Sequence, residues 1–167
     1  MYNSKIFDSY RFWVVGSLEN RKLEVLLWVA PFLAVGLVLA LASAHSLNAL
    51  ALGDEQATAL GVNLAVVRGV AFVALTLLCG AATAAAGPIS FIGLVIPHVV
   101  RLLVGADQKH LLAWSVVAGA GLLLAADVAG RLLIRPTELE AGIVTAFIGA
   151  PVLLVLAVTN RTNRRSA

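Results

Sequence analysis

LAVVRGVAFVALTLLCGAATAAA, residues Leu64–Ala86, carries a single charged side chain, Arg68, near its beginning. About 20 apolar residues, each rising 1.5 Å along a helix, cover the roughly 30 Å of hydrocarbon in a bilayer, so this run is long enough to cross one. Its apolar residues fill every face without the alternation of a barrel strand, and in lipid a helix pairs its own backbone groups. The stretch therefore sets the fold class as an all-α, polytopic transmembrane helical bundle.

Working outward, four further runs approach or reach a similar length: Leu23–Ser43, Pro88–Val104, Leu111–Arg131 and Glu138–Thr159. With Leu64–Ala86 they predict about five spans. Composition agrees, at 60% hydrophobic and 13% charged residues, against about 45–50% and about 25% in soluble domains. The charges fall in short islands between the runs, which are the loops. A net charge of +3 is spread over several islands and forms no stripe of the kind that reads nucleic acid; attraction to membrane lipid headgroups accounts for it. Cys79 is the only cysteine, which excludes an internal disulfide or a Cys-based metal site and leaves it as a small packing residue. Ala40–Ala44 resembles a signal-peptide cleavage site. However, the run before it is too long for an h-region, and Asp8, Glu19 and Glu24 occupy the would-be basic n-region.

Before the first run, Tyr2, Phe7, Tyr10, Phe12 and Trp13 suit a segment lying at the membrane interface. Orientation does not follow from charge. Arg68, Arg101, Lys109, Arg161, Arg164 and Arg165 fall on one side, and Lys5, Arg11, Arg21, Lys22, Arg131 and Arg135 on the other. The equal division leaves the positive-inside rule undecided, apart from a basic tail that leans towards a cytoplasmic C-terminus.

Between the first two spans lies SLNALALGDEQATALG, residues Ser46–Gly61. Its local physics predicts two short helices: Gly53 ends the first in a left-handed conformation, Asp54 N-caps the second and Gly61 ends it. Glu55 complements the second helix's dipole. Leu47, Leu50, Leu52 and Leu60 leave more apolar surface than a free loop shows, to be covered by the chain's own bundle or by a partner.

GPISFIGLVIPH, residues Gly87–His98, is followed by Arg101. Pro88 suits a first helical position after Gly87, Gly93 permits close helix approach, and Pro97 bends the helix near its end. His98 and Arg101 are three apart on one face where the span reaches water. One histidine makes a poor metal site, and His98 is expected to hydrogen-bond backbone freed near Pro97. Asp127 and Arg131, one turn apart, form an ion pair. Thr137 and Glu140 have capping-box spacing, and Gly149 and Pro151 mark a bend in the last span.

Four segments together resemble, in order, the FecCD-type permeases of iron-siderophore, haem and cobalamin ABC importers. They are Leu50–Gly61; Gly87–His98 with Arg101; Gly119–Gly121 with Leu124–Asp127 and Arg131; and Glu140–Pro151. The resemblance runs from about Tyr10 to Pro151. It implies that residues 44–63 form the cytoplasmic loop that docks in a groove of the ATP-binding subunit through Leu50, Gly53, Asp54, Glu55, Gln56, Ala57, Leu60 and Gly61. Orientation follows: the tail Asn160–Ala167 is cytoplasmic, and residues 1–22 and Ile134–Glu140 lie outside. Gly87, Pro88, Phe91, Gly93, Pro97, His98, Arg101, Gly149 and Pro151 are implied as packing positions, and Arg131 as the residue that meets a glutamate of the substrate-binding protein.

The resemblance further implies a transport subunit of the bacterial inner membrane, paired with a second permease subunit, ATP-binding subunits and a periplasmic or lipid-anchored binding protein. No catalytic residue, metal ligand or cofactor is expected in this chain; ATP and magnesium belong to the partner subunit. Family members have about twice this length and about ten spans, so residues 1–167 correspond to a partial permease domain, the C-terminal half. An inactive truncated fragment is the alternative. A membrane enzyme built on His98 and Asp127 lacks a nucleophile, base and orienting group. Ferric siderophore is the expected substrate by overall similarity of the N-terminal segment, with haem or cobalamin as alternatives.

Overall fold

Asn63 stands immediately before the run that opened the sequence, and its Oδ1 accepts the backbone N–H of Val66 at 3.2 Å. That cap satisfies one of the orphan donors of a helix start. Helix formation from Leu64 to Ala86 matches the range expected from apolar length. Gly87, with φ 78°, ends it.

The computed structural model describes residues 23–89, 91–133, 142–147 and 149–154. Among them the helices are α1 (Leu23–Leu50), α2 (Asp54–Ala59), α3 (Leu64–Ala86), α4 (Ile92–Val104) and α5 (Gln108–Leu133), followed by a short apolar helix, Gly142–Leu154. The segment 1–22, the loop with Thr137 and Glu140, and the tail Asn160–Ala167 lie outside the described residues. Three helices among the described residues, Glu24–Leu50 within α1, α3 and Gln108–Leu132 within α5, are long and apolar enough to cross a membrane. α4 and Gly142–Leu154 are shorter; the third expected span is thus helical over less than a bilayer's width, and the last, Glu138–Thr159, continues at both ends outside the described residues.

Two boundaries differ from expectation. α1 continues past Ser43 to Leu50, so the first of the two expected loop helices is the end of α1 itself. Ser43 does not break the helix because its hydroxyl donates to the Ala40 carbonyl at 3.0 Å, satisfying the polar group internally. Conversely, α4 starts at Ile92 rather than at Pro88, which is not in a first helical turn. Phe91, with φ 70°, breaks any continuation, and its carbonyl accepts the N–H groups of Leu94 and Val95 at 3.1 and 2.9 Å.

The chain divides into two compact units. One contains residues 23–85 and 100–116; the other contains the described residues of 86–99 and 117–154. Inside the first, a Cβ placed on Gly36 would come 2.9 Å from Leu78 Cγ, so α1 and α3 meet at a glycine. Inside the second, a Cβ on Gly149 would lie 2.6 Å from Phe91 Cβ. Gly93, the expected point of close approach, has nothing within 4 Å of such a Cβ; that role falls to Gly36 and Gly149. Cys79 is exposed rather than packed. Trp28, Phe72 and Val117 are likewise exposed, as befits helices whose outer faces meet lipid or other helices rather than water.

Candidate functional site

The loop helix α2 is short, and its two ends are fixed differently. Its N-cap is Gly53 at φ 109°, with no side-chain cap, a correction to the expected cap at Asp54. Asp54 is the first helical residue, and its carboxylate is engaged elsewhere. Arg68 Nη2 of α3 donates to both Oδ1 and Oδ2 at 2.8 Å. The Gly53 carbonyl accepts the Ala57 N–H at 3.0 Å. At the other end Gly61 N donates to Thr58 O at 2.9 Å and Val62 N to Ala57 O at 3.0 Å. With Gly61 at φ 79°, this is the left-handed glycine termination expected from the sequence.

Ala57 is fully buried and seats α2 on its own unit. Asp54, Glu55, Gln56 and Thr58 are exposed, and Leu52 and Leu60, flanking the helix, are 63% and 65% exposed. An open depression lined by Asp54, Glu55, Thr58, Ala59 and Leu64 lies beside it. Thus the two bracketing leucines stay uncovered by the chain while the interior of α2 is anchored.

A second polar cluster joins the last turn of α1 to the start of α5. Asn48 Nδ2 donates to Asp107 Oδ1 at 2.9 Å, and Asn48 Oδ1 accepts the Gln108 N–H at 2.8 Å. Asp107 also accepts the Lys109 N–H at 3.0 Å and pairs with His110 Nδ1 at 2.9 Å. The bond from Asn48, followed by those from Lys109 N–H and His110, lowers the Asp107 carboxyl from 3.8 to about 2. Hydrogen bonds to the ionised form hold it ionised.

His98 Nδ1 lies 2.7 Å from the Leu94 carbonyl, one turn back on α4; Pro97, inside the same helix, frees the Gly93 carbonyl instead, so the bond is to backbone beside the proline and not to the freed group. Arg101 is exposed on the same helix. Asp127 and Arg131 form the expected pair, Nε to Oδ2 at 3.0 Å. Among the described residues no three His, Cys, Asp or Glu side chains cluster at metal-holding distance. Asn48, Asn63, Arg68, Asp107 and His110 were not singled out from sequence for these contacts. Asn63 directly precedes an apolar run and Asp107 stands three polar residues before one, a cap signal that was available; the pairing of Asn48 with Asp107 had none.

Long apolar helices, polar groups gathered at their ends, and a loop helix with an uncovered apolar rim define a polytopic helical membrane protein. The model of the FecCD transport family matches residues 1–159, and the chain belongs to that family. It is 46% identical over 157 residues to the ferric enterobactin transport system permease protein FepD of Escherichia coli, covering 93% of this chain and 46% of that protein. To the hemin transport system permease protein HmuU of Yersinia pestis it is 39% identical over 155 residues, 93% of this chain and 46% of that one. A solved ABC transporter of the metal-chelate type, in an inward-facing conformation, superposes with a TM-score of 0.81 at 35% identity, covering 91% of this chain and 49% of that one. The chain spans about half the length of the relatives it matches.

Proposed function

We propose that this chain is the C-terminal portion of a permease subunit of a bacterial inner-membrane ABC importer that takes up a ferric siderophore or a related iron chelate. The α2 loop carries the reading, because it joins an anchored helix interior to an uncovered apolar rim. Leu52 and Leu60 enter a groove of the ATP-binding subunit, burying apolar surface at about 25 cal/mol per Å², while Glu55 and Gln56 face its polar edge. Similarity to FepD over most of the chain supports both the class and the substrate. The chain itself performs no covalent chemistry. ATP and magnesium act on the partner subunit, and nucleotide and binding protein each favour one of two permease conformations through contacts that differ between them. Arg131 is the docking residue for the binding protein, and a second permease subunit completes the path.

The test is ATP-driven uptake by the full-length protein with its ATP-binding subunit and binding protein in proteoliposomes, using labelled ferric siderophore, ferric citrate, haem and cobalamin. Uptake of the ferric siderophore is expected, and preferential uptake of haem or cobalamin overturns the substrate. Leu60→Glu is expected to abolish copurification of the ATP-binding subunit without changing membrane insertion, since an unpaired charge in an apolar groove costs several kcal/mol. A complex that survives this change refutes the docking role of the loop.

A further inference from the structure

We infer that Asn48 and Asp107 form a latch that carries movement of the α2 loop into α5, making Asn48 a positioning residue for ATP coupling. The inference rests on the permease reading above and adds a route by which the loop's motion leaves the loop.

The latch is chemically specific. A carboxylate only accepts and a backbone N–H only donates, so Asp107 Oδ1 and Gln108 N–H together dictate which way the Asn48 amide faces. Both polar ends of one side chain are used, one on the residue that caps α5 and one on the first amide of α5. Asp107 is in turn tied into that same turn, since its carbonyl accepts the Leu111 N–H at 2.9 Å and its carboxylate accepts the Lys109 N–H. The last turn of α1 therefore holds the first turn of α5 as one piece.

Between Asn48 and α2 the chain has little slack. Ala51 N–H donates to Leu47 O, Leu52 N–H to Ala49 O and Gly53 N–H to Leu50 O, at 3.1, 3.1 and 3.0 Å. Beyond the latch, α5 runs unbroken from Gln108 to Leu133. A push on α2 has a hydrogen-bonded path through the turn, through Asn48 and into α5, alongside the route into α3 through Asp54 and Arg68.

The prediction separates coupling from folding. In the full-length complex in proteoliposomes, substrate imported per ATP hydrolysed is measured for wild type, Asn48→Ala, Asn48→Asp and the double change Asn48→Asp with Asp107→Asn. Asn48→Ala is expected to lower this ratio about fivefold with the ATP-binding subunit still bound. Asn48→Asp, which sets two carboxylates against each other, lowers it further. The double change restores it in part, because donor and acceptor are exchanged between positions 48 and 107 and the Gln108 N–H keeps an acceptor at position 48, while the Lys109 N–H, which shares Asp107 Oδ1 with Asn48, loses its own. A purely structural role would reduce the amount of complex without changing the ratio. An unchanged ratio in Asn48→Ala, or failure of the double change to recover part of it in intact complex, overturns the inference. Absence of ATP-driven uptake in the wild-type complex refutes the permease reading instead, and the two failures are thereby distinguished.

Discussion

Arg68 on α3 holds Asp54 on α2 through a single guanidinium nitrogen set 2.8 Å from both carboxylate oxygens, so the loop helix is fixed by charge at its first residue and by glycine geometry on either side. Both side chains are more than half exposed, and an exposed pair of this kind contributes about 0–1 kcal/mol to stability. Its value lies in orientation. Asp54→Ala and Arg68→Ala should each shift the melting temperature in detergent by no more than a few degrees, yet uncouple ATP hydrolysis from uptake in the full-length complex. Exchanging the two residues should recover coupling in part. Normal coupling in both single variants would show that the pair does not set the attitude of α2.

The proposed orientation is testable without transport. Cysteines placed at Gln56 and Glu138 should label from opposite faces of the membrane, the first from the cytoplasm. Labelling from the same side would remove the basis for placing Arg131 outside.

Asp107 gives a pH signature. Its carboxyl is held near 2 instead of its ordinary 3.8, so the ionised group contributes stability that is fully present above about pH 4 and is lost as pH falls through about 2. The protection factors of the Gln108 and Lys109 amides, with the intrinsic pH dependence of exchange divided out, should fall over that interval. In Asn48→Leu, which removes the largest cause of the lowering, the fall at Lys109 should begin at higher pH. Identical titrations in wild type and Asn48→Leu would contradict the hydrogen bond.

Gly36 and Gly149 should respond differently to alanine. The contact at Gly36 is with the branch of Leu78, a side chain with freedom to turn. At Gly149 the nearest atom is Phe91 Cβ, fixed to a backbone already at φ 70°. Overpacking of this kind costs about 1–3 kcal/mol. Gly149→Ala should therefore lower the melting temperature more than Gly36→Ala, and Phe91→Gly should offset much of the loss by removing both the clash and the positive-φ strain. Equal losses at the two glycines would argue against tight packing of Gly149 on Phe91.

Arg131 is engaged by Asp127 through Nε. On the proposed outer face, Arg131→Glu should slow association with the binding protein more than Arg131→Ala, because repulsion replaces a missing attraction, and the difference should shrink at high salt. A glutamate-to-arginine change on the binding protein should rescue Arg131→Glu. Failure of that rescue with both proteins folded would dismiss the docking role.

What could be read from sequence was what depends on local rules. The limits of α3 follow from the length of an apolar run between Asn63 and Gly87, and the end of α2 follows from Gly61. His98 beside Pro97 and Arg131 one turn after Asp127 are short-range geometry on a helix. The start of α4 was misplaced because nothing in a sequence marks a phenylalanine that will adopt positive φ, a conformation uncommon outside glycine and asparagine. The end of α1 differs because the apolar run stops at Ser43 and the segment before Gly53 reads as a separate short helix, whereas Ser43 folds onto its own helix and the two helices are one from Leu23 to Leu50. Gly93 permits a close approach because it is glycine; whether a neighbour arrives is decided by tertiary structure. The Asn48–Asp107 bond joins residues 59 positions apart, beyond any pattern of spacing.

The length of α1 gives it mechanical advantage. Its 28 residues rise about 42 Å, against about 30 Å of hydrocarbon, so the helix exceeds the membrane core by roughly 12 Å in all, and its polar end carries Asn48. A rod pivoting within the bilayer moves its tip furthest: a tilt of about 5° sweeps the end through about 2 Å, several times the spread of distances over which a hydrogen bond survives. On the proposed permease reading, a lean of α1 at its foot would drag the head of α5 with it for as long as Asn48 holds Asp107.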